Sequence, residues 1–142
     1  MDVLVVAELD GGRLRRATGS AVAFADRIHR LAPGATTLLV VGHGVAAAAE
    51  QAARLGVDHV LLADHPDLAD GTAEALAPTV AAAAAGHGLT VGAATSFGKD
   101  LLPRVAAHLD AGYVADCSGV TAEGEGLLFH RAIFAGAAWE RC

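Results

Sequence analysis

An α/β domain built on an open parallel sheet, with helices on both faces and a β-hairpin at one edge, is the fold class that the sequence predicts. Three observations predict it. Short aliphatic runs alternate with alanine-rich stretches of helical length. The first run, Val3–Ala7, is continuously apolar, as in a strand buried on both faces. Glycine or proline punctuates the boundaries between runs.

The elements follow in order. After Val3–Ala7, Gly11-Gly12 gives a turn, and a helix is expected over Ser20–Leu31 with Val22, Phe24, Ile28 and Leu31 facing the core. Pro33-Gly34 ends it. A strand at Thr37–Val41, a helix at Val45–Leu55 and a stop at Gly56 repeat the pattern. A strand at His59–Ala63, a helix at Ala73–Ala85 and a stop at Gly86 repeat it again. A fourth strand, Thr90–Ala94, leads into a helix that runs to about Leu109. Strands separated by helices of this length imply right-handed crossovers and hence a parallel sheet covered on both faces. Beyond Asp110, Tyr113–Thr121 and Leu127–Ala135 read as two strands around Glu123-Gly124-Glu125-Gly126, a hairpin or exchange arm at the sheet edge. Its apolar residues Leu127, Phe129, Ile133 and Phe134, with Trp139 nearby, have no helix after them to cover them. Such a face favours association, so self-association through the C-terminal hairpin is expected.

Length and composition exclude several classes. The 142 residues suit one domain, 1–142, and with 54% hydrophobic residues the chain can bury a sizeable core, the reverse of a disordered composition. Ten Lys+Arg against sixteen Asp+Glu give a formal charge of −6, without the basic footprint of nucleic-acid binding. No apolar run approaches the ~18 residues of a membrane span, and no basic stretch precedes Val3–Val6 as in a signal peptide. Cys117 and Cys142 have no metal or redox spacing, which fits a reduced, cytoplasmic compartment.

Two strand–helix turns could hold an anion. Gly42-His43-Gly44-Val45-Ala46-Ala47 fits G-x-G-x-x-G/A after a predicted strand, with Asp64 22 residues past Gly42. In a Rossmann-like sheet such glycines let the backbone approach a pyrophosphate at a helix N-terminus, and the acid holds a ribose hydroxyl. The plainer alternative is a tight turn in a chain rich in glycine and alanine. The second turn, Thr95-Ser96-Phe97-Gly98-Lys99-Asp100, departs from a P-loop: five residues separate Gly92 from Gly98, and Asp100 stands where a magnesium-binding hydroxyl should be. Ser96, Gly98 and Lys99 could still meet an anion, but structure or partner contact is favoured, with Thr95 or Ser96 capping the helix and Pro103 in its first turn. The Asp64–Asp70 stretch reads as a solvated loop with Asp70 capping the next helix rather than a metal site. The seven histidines and the serines Ser20, Ser96 and Ser118 form no catalytic spacing, so neither a catalytic set nor a metal site is expected. Arg104, Arg131 and Asp116 are charges near apolar segments, able to pair or to meet another domain.

The block from Thr95 to Leu109 (TSFGKDLLPRVAAHL), the opening Val3-Leu4-Val5-Val6-Ala7-Glu8, Gly56–Leu61, Asp116 and Arg131-Ala132-Ile133-Phe134-Ala135-Gly136 together resemble the N-terminal domain of the electron transfer flavoprotein alpha subunit. The resemblance runs in order from about residue 2 to 138. It implies a sheet related to the adenine-nucleotide-hydrolase-like α/β domains, in a heterodimer with a beta subunit that carries electrons from flavin dehydrogenases to the quinone pool. FAD would lie mainly in the alpha C-terminal domain, which this chain lacks, so no flavin is expected on the chain alone. The chain would then be a fragment or a naturally short product, a scaffold without catalysis of its own. Ala137 stands where the family carries an asparagine. The alternative from another class is a stand-alone domain binding AMP or ATP near Gly42–Gly44 and Ala94–Lys99.

Overall fold

The computed structural model describes residues 1–133 and 138–141. In chain order its elements are β1 (Val3–Val6), the short pair β2 (Leu9–Asp10) and β3 (Arg13–Leu14), α1 (Arg16–His29), β4 (Thr36–Gly42), α2 (Ala46–Ala52), β5 (His59–Asp64), α3 (Ala73–Ala84), β6 (Leu89–Val91), α4 (Ser96–Leu109), β7 (Cys117–Glu123), β8 (Gly126–Ile133) and β9 (Ala138–Arg141). The parallel sheet has the order β5-β4-β1-β6, with Val3 beside Thr36 on one side and Leu89 on the other.

Strand periodicity divides the core into two layers. Val3, Val5, Leu38 and Val40 pack with Ala21, Val22, Ala25 and Ile28 of α1 and Ala48 and Ala52 of α2. Leu4, Val6, Leu39 and Val41 point the other way, against Leu76, Ala77, Val80 and Ala81 of α3 and Leu101 and Val105 of α4. Buried alanines at 73, 77, 81 and 84 give α3 a shallow face that lies close on the sheet. Each buried Leu or Val contributes roughly 1.5–3 kcal/mol relative to exposure, so this double layer supplies most of the folding energy.

Several expectations shift. α1 starts at Arg16 and ends before Leu31, which follows the helix cap at Arg30 and is exposed; Ala21 and Ala25 take the buried positions instead. Thr72, not Asp70, caps α3, its Oγ1 accepting from the Ala75 N–H. Pro103 lies two turns inside α4, because the helix already begins at Ser96; the Lys99 carbonyl therefore loses its i+4 donor. The fourth strand ends at Val91 and the hairpin's first strand starts at Cys117.

The hairpin does not extend the parallel sheet. β7 and β8 pair antiparallel from Cys117↔Arg131 to Glu123↔Gly126, and β9 adds a third strand, giving a separate sheet. Val120 and Leu127 pack against the α1 layer, so the face expected to be bare is partly covered. Phe134, Ala135, Gly136 and Ala137 lie outside the described residues, as do the side chains of Ile133 and Trp139.

Candidate functional site

In an open parallel sheet, ligands gather outside the strand C-termini where neighbouring strands lead to helices on opposite faces. Here that point lies between β1 and β6, since α1 packs on one face and α4 on the other. Glu8 follows β1 there, and it is buried although charged. Thr95, the α4 cap, donates its hydroxyl to both Glu8 carboxylate oxygens at 3.0 and 2.9 Å and accepts the Gly98 N–H at 3.2 Å. The Glu8 backbone is tied as tightly: its N–H meets Thr18 Oγ1 at 3.0 Å, and its carbonyl accepts from Arg15 N–H at 2.8 Å. Arg15 Nη1 stands 3.9 Å from the carboxylate. Buried polar atoms in such a node must all find partners, and no buried side-chain nitrogen or oxygen among the described residues lacks one.

Gly98 is explained by this packing. A Cβ at Gly98 would stand 1.9 Å from the Ala93 carbonyl oxygen, so only glycine lets the first turn of α4 close over the end of β6. Ser96 is exposed at the helix start, and Lys99 Nζ pairs with Asp116 Oδ1 at 3.0 Å. The second turn therefore places its candidates together, but it holds the Glu8 carboxylate beside the helix N-terminus, where an anionic ligand would have to sit.

The first turn is closed in a similar way. The Asp64 carboxylate accepts from the Gly44 and Val45 N–H groups, both at 2.9 Å, which are the donors that a pyrophosphate would use. Those two hydrogen bonds, then the nearby His43, hold its carboxyl below the usual carboxylate range. Gly44 takes the left-handed backbone, φ +67, that the turn requires. Asp64 thus contacts the backbone rather than standing free to meet a ribose. At the first turn the two N–H groups that a phosphate would use are therefore taken up by Asp64.

Nearby, His65 accepts the Asp67 N–H at 3.1 Å within an exposed loop, and no group of three metal-ligating side chains converges among the described residues. Arg104 pairs with Asp100 one turn earlier at 3.0 Å, on the exposed face of α4. Arg131 is half-buried on β8. No helix among the described residues is long and apolar enough to cross a membrane.

Of the two caps the sequence offers, Thr95 and Ser96, Thr95 takes the place, whereas the sequence points to no role for Glu8. The available signal was a lone carboxylate directly after a wholly apolar strand, a position at the ligand-facing edge of such a sheet.

The family model described as "Electron transfer flavoprotein domain" matches residues 3–142. Curated relatives are named electron transfer flavoprotein subunit alpha. The protein of Pseudomonas aeruginosa is 38% identical over 96% of this chain and 42% of its own length. That of Bacillus subtilis is 31% identical over 98% of this chain and 43% of its own, and that of Paracoccus denitrificans 35% over 96% and 42%. The chain thus spans well under half the length of these relatives. With a match over nearly its whole length, on an α/β sheet of the expected class, the chain belongs to the electron transfer flavoprotein domain family.

Proposed function

We propose that this chain is the N-terminal scaffold and interface domain of an electron transfer flavoprotein alpha subunit. In this reading it is part of a cytoplasmic, FAD-dependent carrier moving electrons between dehydrogenases and the quinone pool, and it packs against a beta subunit. The observation that carries the reading is the family match spanning residues 3–142, on a chain whose relatives are alpha subunits more than twice as long. The arrangement of the two strand–helix turns supports it. Asp64 occupies the backbone donors of one, and the Glu8 carboxylate, bonded to the Thr95 hydroxyl, sets a negative charge beside the other, which disfavours an anionic ligand at both. The domain contributes surface and rigidity rather than chemistry, and the flavin belongs to the remainder of the subunit.

Titration calorimetry of the purified chain with AMP, ATP, NAD and FAD, beside its visible spectrum, tests this against the free-standing nucleotide-binding alternative. The expected result is a colourless protein with no heat of binding at millimolar ligand. Micromolar affinity for any of the four, or stoichiometric flavin in the spectrum, would replace the scaffold reading with a nucleotide-binding one.

A further inference from the structure

A cleft of about 870 Å³ runs along the outer edge of β6, away from the Gly42 turn. β6 is the last strand in the sheet order, so among the described residues its outer backbone edge has no strand partner within the parallel sheet. Ser20 and Phe24 of α1 line one side and Leu102 and Val105 of α4 the other, with the segment after α4 closing the cleft. That segment, residues 111–115, forms neither helix nor strand. It is bracketed by Asp110 (φ 50) and Asp116 (φ 49), the only non-glycine residues in the left-handed backbone region among the described residues. Aspartate tolerates that region better than most side chains, so each end of the segment is a defined bend. Beyond the α4 terminus, where Ala111 N–H reaches the Ala106 carbonyl, the ion pair Lys99–Asp116 at 3.0 Å holds its far end to α4. Lys99 is the only lysine in the chain.

We propose that residues 111–115 are a strap across this cleft, latched by the Lys99–Asp116 ion pair, and that unlatching opens the cleft and the free edge of β6. The parts fit a reversible closure. Both latch side chains are about half exposed, 46% and 52%, so the pair is screened and holds the strap only weakly. Among the described residues a further tether, Arg27 Nη1 to the Ser118 carbonyl at 3.5 Å, lies beyond the second bend and anchors β7 rather than the strap. Tyr113, at the middle of the strap, is substantially exposed. A segment with two bends, few backbone bonds and one exposed ion pair can open without disturbing the two core layers. The strap does not depend on the scaffold reading.

Cys117 reports on the strap, because it lies just past the second bend, lines the cleft and donates its thiol to the Gly119 carbonyl at 3.2 Å. In a Cys142→Ser background it is the sole thiol, and its alkylation by iodoacetamide measures access. Lys99→Met is expected to speed alkylation about two- to fivefold, and Lys99→Arg to keep the parental rate. Raising NaCl from about 0.05 M to about 1 M should bring the parental rate up to that of Lys99→Met while leaving the variant unchanged, because only the latched form has an ion pair to screen. Equal rates for the parent and Lys99→Met, or salt accelerating both alike, would overturn the latch. If Lys99→Met fails to fold, Asp116→Asn and the parental salt response decide between the same outcomes.

Discussion

The parallel core and the C-terminal antiparallel sheet differ in composition, the first nearly all aliphatic and the second mixing apolar with polar and charged residues, and they are held in different ways. Val3, Leu4, Val5, Leu38, Leu39 and Val40 are wholly buried, because their strands have helices on both faces. No residue of β7 is buried, and its last three are exposed. The antiparallel sheet leans on the domain through Val120 and Leu127 on one side of its pleat. A strand covered twice contributes every side chain to the core, whereas a strand covered once contributes every second one. Stability should therefore reside in the first region, and the second should be the part that can loosen while the domain stays folded.

This contrast can be broken most directly by cavity-forming substitutions. Leu4→Ala is expected to cost about 2–5 kcal/mol in urea unfolding, because Leu4 is fully enclosed between β1 and the α3–α4 layer. Leu127→Ala, on the half-buried β8, should cost no more than about 1.5 kcal/mol, the lower range for partial burial. Comparable losses would mean that the antiparallel sheet is part of the cooperative core. Gly98→Ala should follow at about 1–3 kcal/mol, since the new methyl must push α4 off the Ala93 carbonyl. A thermal midpoint equal to wild type would show that the end of β6 yields easily and that the core is softer there than its burial indicates. Thr95→Ala should cost about 0.5–2 kcal/mol through the lost cap, and it also strips the Glu8 carboxylate of its hydroxyl donor.

The smallest effect sharpens the contrast at the surface of the core. The Asp64 carboxyl has its folded pKa lowered by the Gly44 and Val45 N–H groups, so its ionised form stabilises the fold. That contribution is complete above the unfolded carboxylate value near pH 4 and is lost as pH falls through the lowered folded value. Asp64→Ala should accordingly be less stable than wild type at neutral pH, with the gap closing below about pH 4. A gap independent of pH would assign the effect to packing rather than to the charge.

Much of this organisation was legible in the chain. The run Val3–Ala7 announced a strand covered on both faces, Thr37–Val41 announced a second strand, and Gly56 and Gly86 marked where helices stop, because backbone period and turn chemistry are local properties. A cap at Thr95 or Ser96 was legible for the same reason, and the tertiary structure chooses Thr95. Asp70 was misjudged as a cap because Thr72 stands closer to the first buried turn of α3, and Leu31 because its apolar character says nothing of where α1 ends. The two turns were legible as strand–helix turns with the right residues for an anion, but not as turns already holding carboxylates of their own.

The amino-acid order settles which segments are strands, which are helices and that the sheet is parallel, since these follow from periodicity, crossover length and punctuation. The tertiary structure decides what the polar residues do. Glu8 meets Thr95 across 87 positions, Asp64 reaches Gly44 across 20 and Lys99 finds Asp116 only after α4 has turned back. It also decides that β7, β8 and β9 form their own sheet and leave the outer edge of β6 to a cleft. A carboxylate acts as a ligand group or as an internal cap according to which N–H groups stand within 3 Å of it, and that distance exists only once the strands are side by side.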